Sequence, residues 1–259
     1  MLKIKNYVKA ESLEQAYELN QKRTACVLGG MVWLKMGNRN ITTAIDLSGL
    51  GLDIITETEE AFVIGCMTPL HALETHKELN AYTNGAVRES VRHIVGVQFR
   101  NCATVGGSIF GRFGFSDVLT MFLALDTWVE LYNGGTIPLA QFASMEKDND
   151  ILVNIIVKKQ PLNSVYLSRR NNSTDFPVLT CAAALIDGKA MIVEDEEGIL
   201  KDFVQMNVQQ KKDAAASFAA YAAEHVSTDK NMRASKEYRS LLVKVLTRRA
   251  WEEIGGRAE

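Results

Sequence analysis

Four adjacent glycine pairs are the residues whose spacing most directly suggests chemistry: Gly29-Gly30, Gly106-Gly107, Gly134-Gly135 and Gly255-Gly256. With 18 glycines in 259 residues, chance adjacency gives about one such pair. Glycine adopts positive φ without strain and lets backbone N–H groups approach a ligand closely. Consecutive N–H groups can then cradle an anion such as a phosphate, although the same pair can simply make a tight turn. Gly134-Gly135 follows Asn133 between two short alternating runs and reads as a hairpin turn, and Gly255-Gly256 as a frayed C-terminus. The first two pairs stand where an apolar strand is expected to run into a loop, and two such loops suit a long ligand with two phosphates. Neither follows the strict nucleotide patterns: there is no GxGxxG after a strand and no GxxxxGK[ST].

Other chemistries are poorly provided for. The four cysteines, Cys26, Cys66, Cys102 and Cys181, form no CxxC pair, which argues against a zinc ribbon or a cysteine-ligated cluster. His71 and His76 are five apart and would point to different faces of one helix, so they make a poor metal site with Glu74. No Ser/His/Asp or paired-carboxylate arrangement stands out, and no catalytic or metal-ligating residue is assigned. Lys plus Arg number 29 against 31 Asp plus Glu, a balance without the basic footprint of a nucleic-acid binder. No run approaches the length of a membrane span. The start lacks an apolar signal region, and sparse cysteines fit a reducing interior; the expected location is cytoplasmic.

The elements that must position the glycines follow from pattern. Ser12 with Gln15 has capping-box spacing for a helix through Asn20. Strands are expected at Ala25 to Leu28, Ala44 to Leu47 and Ala61 to Ile64. A helix starting at Thr68-Pro69 would carry His71, Glu74 and His76, and Ala86 to Val95 reads as another. Arg100 to Ser116 is read as a loop, with a helix from Asp117 to Leu125. A hairpin spans Trp128 to Pro138, and Ile151 to Val157 is a further strand. The character changes near residue 158. Beyond it come strands at Ser164 to Ser168, Val178 to Ile186 and Ala190 to Val193, with a turn at Asp187-Gly188. Helices follow at Ala214 to Glu224 and Ser235 to Ile254, the latter with an apolar stripe of Tyr238, Leu241, Leu242, Val245 and Leu246.

Several segments resemble one family. LGGMVWLK (Leu28 to Lys35) is similar to the AGGTDL-type segment of the FAD-binding subunits of molybdenum hydroxylases, the flavin subunits of xanthine dehydrogenase, carbon monoxide dehydrogenase and their relatives. RNCATVGGSIFGRFGFSD (Arg100 to Asp117) resembles that family's RNxATIGGNI…SD segment, its most specific motif. Tyr166 to Arg170, Ala182 to Leu185 and NMRASKEYRSLLVKVLTRRA (Asn231 to Ala250) resemble its C-terminal domain, in the expected order.

The resemblance implies an α+β chain. A two-part FAD-binding domain of the vanillyl-alcohol-oxidase/PCMH-like type would occupy residues 1–158, in subdomains 1–55 and 56–158. A C-terminal domain with a small antiparallel sheet and helices would occupy 159–259. FAD would lie extended between the two subdomains. Its expected contacts are Leu28, Gly29, Gly30, Met31, Val32 and Trp33 in the first loop; Ala103, Thr104, Gly106, Gly107, Ser108, Ser116 and Asp117 in the second; and Ile151 and Leu152 beside the ring. The glycine pairs would offer N–H donors to the pyrophosphate. Asp117 is either a partner for cofactor hydroxyls or a carboxylate offsetting a helix macrodipole.

The implied role is electron transfer within a molybdopterin-dependent, xanthine dehydrogenase-like complex. An iron–sulfur subunit and a molybdopterin-binding subunit would be the partners, with an acceptor such as NAD. The alternatives are a structural or assembly subunit that keeps the fold without flavin, and a stand-alone flavin reductase. The family's polar residues after the first pair are Met31 and Val32 here, and its polar stretch before Ser-Asp has become Gly111, Arg112, Phe113, Gly114 and Phe115. Trp33 and Phe113 either cover the flavin or pack in the core. Arg169-Arg170 and Arg248-Arg249 are read as structural, and Cys102 as a small packed residue.

Overall fold

The computed structural model describes residues 1–187, 189–195, 204–207, 214–226 and 228–255. Gly188 of the expected turn and Gly256 of the last glycine pair lie outside them. In chain order the first elements are β1 (Lys3–Lys9), α1 (Leu13–Asn20), β2 (Ala25–Leu28), β3 (Asn40–Asp46), β4 (Ile55–Glu57) and β5 (Ala61–Gly65). Then come α2 (Leu70–Thr75), α3 (Lys77–Tyr82), α4 (Ala86–Arg92), α5 (Val97–Cys102), α6 (Val105–Gly111) and α7 (Asp117–Ala124). They are followed by β6 (Thr127–Leu131), β7 (Gly135–Pro138), α8 (Leu139–Ser144) and β8 (Leu152–Lys158). The remainder is β9 (Leu162–Arg170), β10 (Pro177–Ile186), β11 (Lys189–Asp195), β12 (Val204–Asn207), α9 (Ala214–His225) and α10 (Lys236–Ile254).

The chain forms two compact units. The first comprises Met1–Ala72, Val97–Gly111 and Thr127–Lys158. It holds a parallel sheet in the order β1-β3-β2 and an antiparallel sheet in the order β4-β5-β8-β6-β7. The central strand β8 alternates, with Val153, Ile155 and Val157 buried on one face and Asn154 and Ile156 half-buried on the other. The β6–β7 turn has its N–H groups at Asn133 and Gly134 held by the Asp150 carboxylate, 3.0 and 2.7 Å away.

The second unit comprises Leu73–Gly96, Arg112–Asp126 and Lys159–Glu259. Its sheet is antiparallel, in the order β12-β11-β10-β9. All eight residues of α7 are buried, so this helix is enclosed all round rather than amphipathic. On α10 the buried face runs through Arg239, Leu242, Val243, Leu246, Thr247, Ala250, Trp251 and Ile254. Tyr238 and Leu241, expected in the apolar stripe, are exposed. The stripe is displaced because Arg239 points inward, where its Nη2 donates to Asn231 Oδ1 at 2.6 Å.

Two further expectations are corrected. The helix expected to carry both histidines breaks at His76, whose Nδ1 caps α3 by accepting from Leu79 N–H. The loop expected over 100–116 contains α5's end and the whole of α6, so Gly106-Gly107 lies in the first turn of a helix.

Candidate functional site

In the first unit the two glycine pairs meet. A Cβ on Gly29 would stand 2.8 Å from Thr104 Oγ1 and 3.6 Å from Gly107 Cα. A Cβ on Gly30 would overlap the Cys102 carbonyl, so glycine is required there by the close passage of the 102–103 backbone. Gly106 is required in the same sense, because its Cβ would come within 2.6 Å of the Cys66 carbonyl. None of these four glycines takes positive φ; the left-handed residue is Met31, at φ 56°. Such a conformation is uncommon outside glycine, asparagine and aspartate. Met31 packs with Leu2, Cys26 and Leu34 against the buried Leu28, Ile41 and Ala44.

The backbone donors of the two segments are used differently. Val105 and Gly106 donate to the carbonyls of Thr68 and Cys66 at 2.9 and 2.8 Å. Gly107 donates to Thr104 Oγ1 at 3.1 Å, and Ser108 Oγ donates to the Thr104 carbonyl at 3.3 Å. The Gly106 and Gly107 N–H groups expected for a phosphate are thus taken by the protein, because Thr104 caps α6 and Cys66 docks against its first turn. By contrast, among the described residues no protein acceptor takes the N–H of Gly29, Gly30, Met31 or Val32. Successive N–H groups ending in a left-handed residue make an anion-binding concavity. Beside them sits the buried Thr104, whose Oγ1 accepts from Gly107 and retains its own proton for donation.

Ala103 and Thr104 are buried, Gly107 is exposed and Ser108 is half-buried. Ile151 and Leu152 are buried, the latter opening β8. Cys66 N–H donates to the Val153 carbonyl at 2.9 Å, which links that strand to the Gly106 turn. Trp33 is 46% exposed. Cys102, expected to be packed, is exposed. Burial pushes the Cys66 thiol up to about 12, so this sulfur is protonated and inert.

Ser116 and Asp117 belong to the second unit. Ser116 Oγ caps α7 by accepting from Leu119 N–H at 3.2 Å. Asp117 is buried and its Oδ1 accepts from both the Tyr166 hydroxyl and the Arg170 guanidinium. Burial pushes the Asp117 carboxyl above the usual carboxylate range, opposed by Arg170 and by the Tyr166 hydrogen bond. Burial and the Asp117 charge push the Tyr166 phenol well above its usual range. Asp117 stands in the first turn of α7, the helix-terminal position expected for it, and its carboxylate also closes a buried ion pair with Arg170. Tyr166 and Arg170 went unrecognised as its partners because nothing local links residues about 50 positions apart.

The altered stretch before Ser116 has its own packing. Phe113 stacks on Phe115 with centroids 5.2 Å apart, and Phe115 meets the Phe176 ring edge-on at 4.9 Å. Arg233 lies over Phe176 at 5.0 Å. The F-x-F spacing in the sequence was the available signal. Arg112, half-buried at φ 47°, ends α6. Among the described residues no group of three or more His, Cys, Asp or Glu is placed to hold a metal, and no helix is long and apolar enough to cross a membrane.

Comparison with known proteins adds to this geometry. The model of the FAD binding domain in molybdopterin dehydrogenase matches residues 2–159. The uncharacterized protein YgfM of Escherichia coli K12 is 25% identical, over 94% of this chain and 93% of that protein. A chain of reconstituted CO dehydrogenase from Oligotropha carboxidovorans superposes with a TM-score of 0.83 at 23% identity, covering 98% of both chains. A chain of quinoline 2-oxidoreductase from Pseudomonas putida 86 does so with a TM-score of 0.82 at 18% identity, covering 96% of both.

Proposed function

The chain belongs to the family of FAD-binding domains of molybdopterin dehydrogenases, and from that premise we propose that it is the FAD-carrying electron-transfer subunit of a molybdenum hydroxylase-type complex. It takes electrons from iron–sulfur centres on one partner chain, reduced in turn by a molybdopterin-binding chain, and passes them to an acceptor such as NAD. When bound, FAD supplies the redox chemistry, and the protein supplies binding and orientation.

The observation that carries this reading is the run of four N–H groups at Gly29, Gly30, Met31 and Val32 that no protein atom accepts among the described residues. These donors, with the Thr104 hydroxyl, receive the pyrophosphate. Leu28 and Ala103 set the two segments at their close approach, and Gly107 keeps its surface open, since a Cβ there would touch only Thr104 Oγ1. Ile151 and Leu152 present the apolar start of β8 to the flavin ring. Ser116 and Asp117 hold α7 in place. The family's domain division is read here as an FAD-binding part through residue 158 and a C-terminal part from 159.

The test is the visible absorbance of the purified chain followed by titration with FAD. A flavin spectrum at one FAD per chain supports the proposal; a colourless chain that FAD does not saturate overturns it. A flavin-free assembly subunit is the second reading. It is favoured by one observation, that the Met31 side chain packs in an apolar cluster and the Asp117 carboxylate is engaged by Tyr166 and Arg170 within the protein. Stoichiometric FAD eliminates it.

A further inference from the structure

The second unit contains a cavity of about 660 Å³ between α4 and the outer edge of β9. That size is within the range of small-molecule sites, roughly 300–1,000 Å³. Four arginines line it, Arg88 and Arg92 from α4 and Arg169 and Arg170 from β9, against two glutamates, Glu89 and Glu253. How each arginine is held decides what remains for a ligand.

Arg170 is neutralised by buried Asp117. Arg92 pairs with Glu89 at 3.1 Å, a carboxylate that also lies 3.4 Å from His93 Nε2. Arg88 and Arg169 differ from these. Arg88 Nε donates to the Glu74 backbone carbonyl at 3.3 Å. Arg169 Nε donates to the Tyr238 hydroxyl at 3.2 Å and its Nη1 to the Arg170 carbonyl at 2.5 Å. Both are fixed by neutral oxygens, and among the described residues no carboxylate pairs with either.

Anchoring by neutral acceptors fixes a guanidinium without cancelling its charge. Each guanidinium has five N–H donors, of which Arg88 uses one here and Arg169 two. The planar fork matches a phosphate bidentately. Val165 and Leu167, partly buried against the apolar core on the α10 side, add a limited apolar margin for an organic body.

We propose that this cavity is a binding site for a small phosphorylated organic anion, held between Arg88 and Arg169. The Arg169-Arg170 pair thus divides its labour, one arginine for the ion pair with Asp117 and one for the ligand. The site shares no residue with the glycine segments and does not depend on the flavin assignment.

The experiment is calorimetric titration of the full chain, with and without saturating FAD, using inorganic pyrophosphate and AMP as probes. The expected result is saturable binding, weakened about tenfold by Arg88→Gln and again about tenfold by Arg169→Gln, as loss of a charge-assisted contact entails. Arg248→Gln/Arg249→Gln, which removes the same charge from the exposed face of α10, leaves binding unchanged. Arg88 and Arg169 are exposed, so circular dichroism of the variants matches that of the parent. Absence of saturable binding of both probes, or equal affinity in the parent and the combined Arg88→Gln/Arg169→Gln variant, overturns the proposal. So does binding abolished by Gly30→Ala and untouched by the arginine variants, which assigns the probe to the glycine segment.

Discussion

In Leu28–Trp33 the groups available to a ligand are backbone N–H donors, and the side chain with most freedom to contribute, Met31, is turned into an apolar cluster. At Ser116–Asp117 the reverse holds: every polar side chain is engaged, Ser116 as a helix cap and Asp117 in a buried pair with Arg170 and Tyr166. Both segments resemble the family's motif, but among the described residues the first leaves four successive N–H groups without a protein acceptor, whereas the open Asp117 N–H of the second is that of an ordinary first helical turn. The difference shows why substitution of polar motif residues at 31 and 32 need not abolish binding. A cradle made of main chain survives a change of side chain, provided that the glycines beside it stay small.

The sharpest way to break that contrast is at Arg170. Replacing it by Met leaves Asp117 buried without its cation, and stability should fall by about 3–5 kcal/mol, measured by urea denaturation. Because the account makes this pair structural, FAD affinity of the folded fraction should stay within a few-fold of the parent. A selective loss of FAD without loss of stability would return Asp117 to the cofactor.

Gly30→Ala is the converse. Its Cβ overlaps the Cys102 carbonyl, so the two segments must separate at a stability cost of about 1–3 kcal/mol. FAD affinity should drop about tenfold or more, read by fluorescence titration. Thr104→Val is milder: it removes the hydroxyl that accepts from Gly107. Stability should fall by about 1 kcal/mol, as for a lost N-terminal cap, with a parallel decrease in FAD affinity.

The smallest effect concerns Asp175, next to Phe176 of the aromatic stack. The Arg233 hydrogen bond, with that from Phe176 N–H, holds its carboxyl below the usual carboxylate range. A carboxyl lowered on folding stabilises the protein above its unfolded value of about 4, and that contribution is lost as pH falls through the folded value. The stability lost between pH 7 and that acid window should be smaller in Arg233→Gln than in the parent, by under about 1 kcal/mol for a half-buried surface pair.

Much of the architecture was legible because it is written locally. Ser12 caps the helix that its spacing with Gln15 announces, and Asn133-Gly134-Gly135 turns the expected hairpin. Helix α6 was hidden for an equally local reason: V-G-G is a poor helix start by propensity. Its formation rests on the Thr104 cap and on docking against Cys66, a residue 40 positions earlier. The face of α10 was misjudged because a buried arginine counts as polar in any periodicity. Of the site, the glycine pairs were visible, but which N–H groups remain available was not. That depends on acceptors brought in from Cys66 and Thr68.

The central claim is that the N–H groups of Gly29, Gly30, Met31 and Val32 receive the cofactor's pyrophosphate. Amide 1H–15N shifts of the isotopically labelled chain, followed during FAD titration, test it directly. The account predicts that these four amides move downfield together and saturate at one FAD per chain, while the Gly106 amide, bonded to Cys66, moves little. Saturable FAD binding that leaves all four unshifted would contradict it.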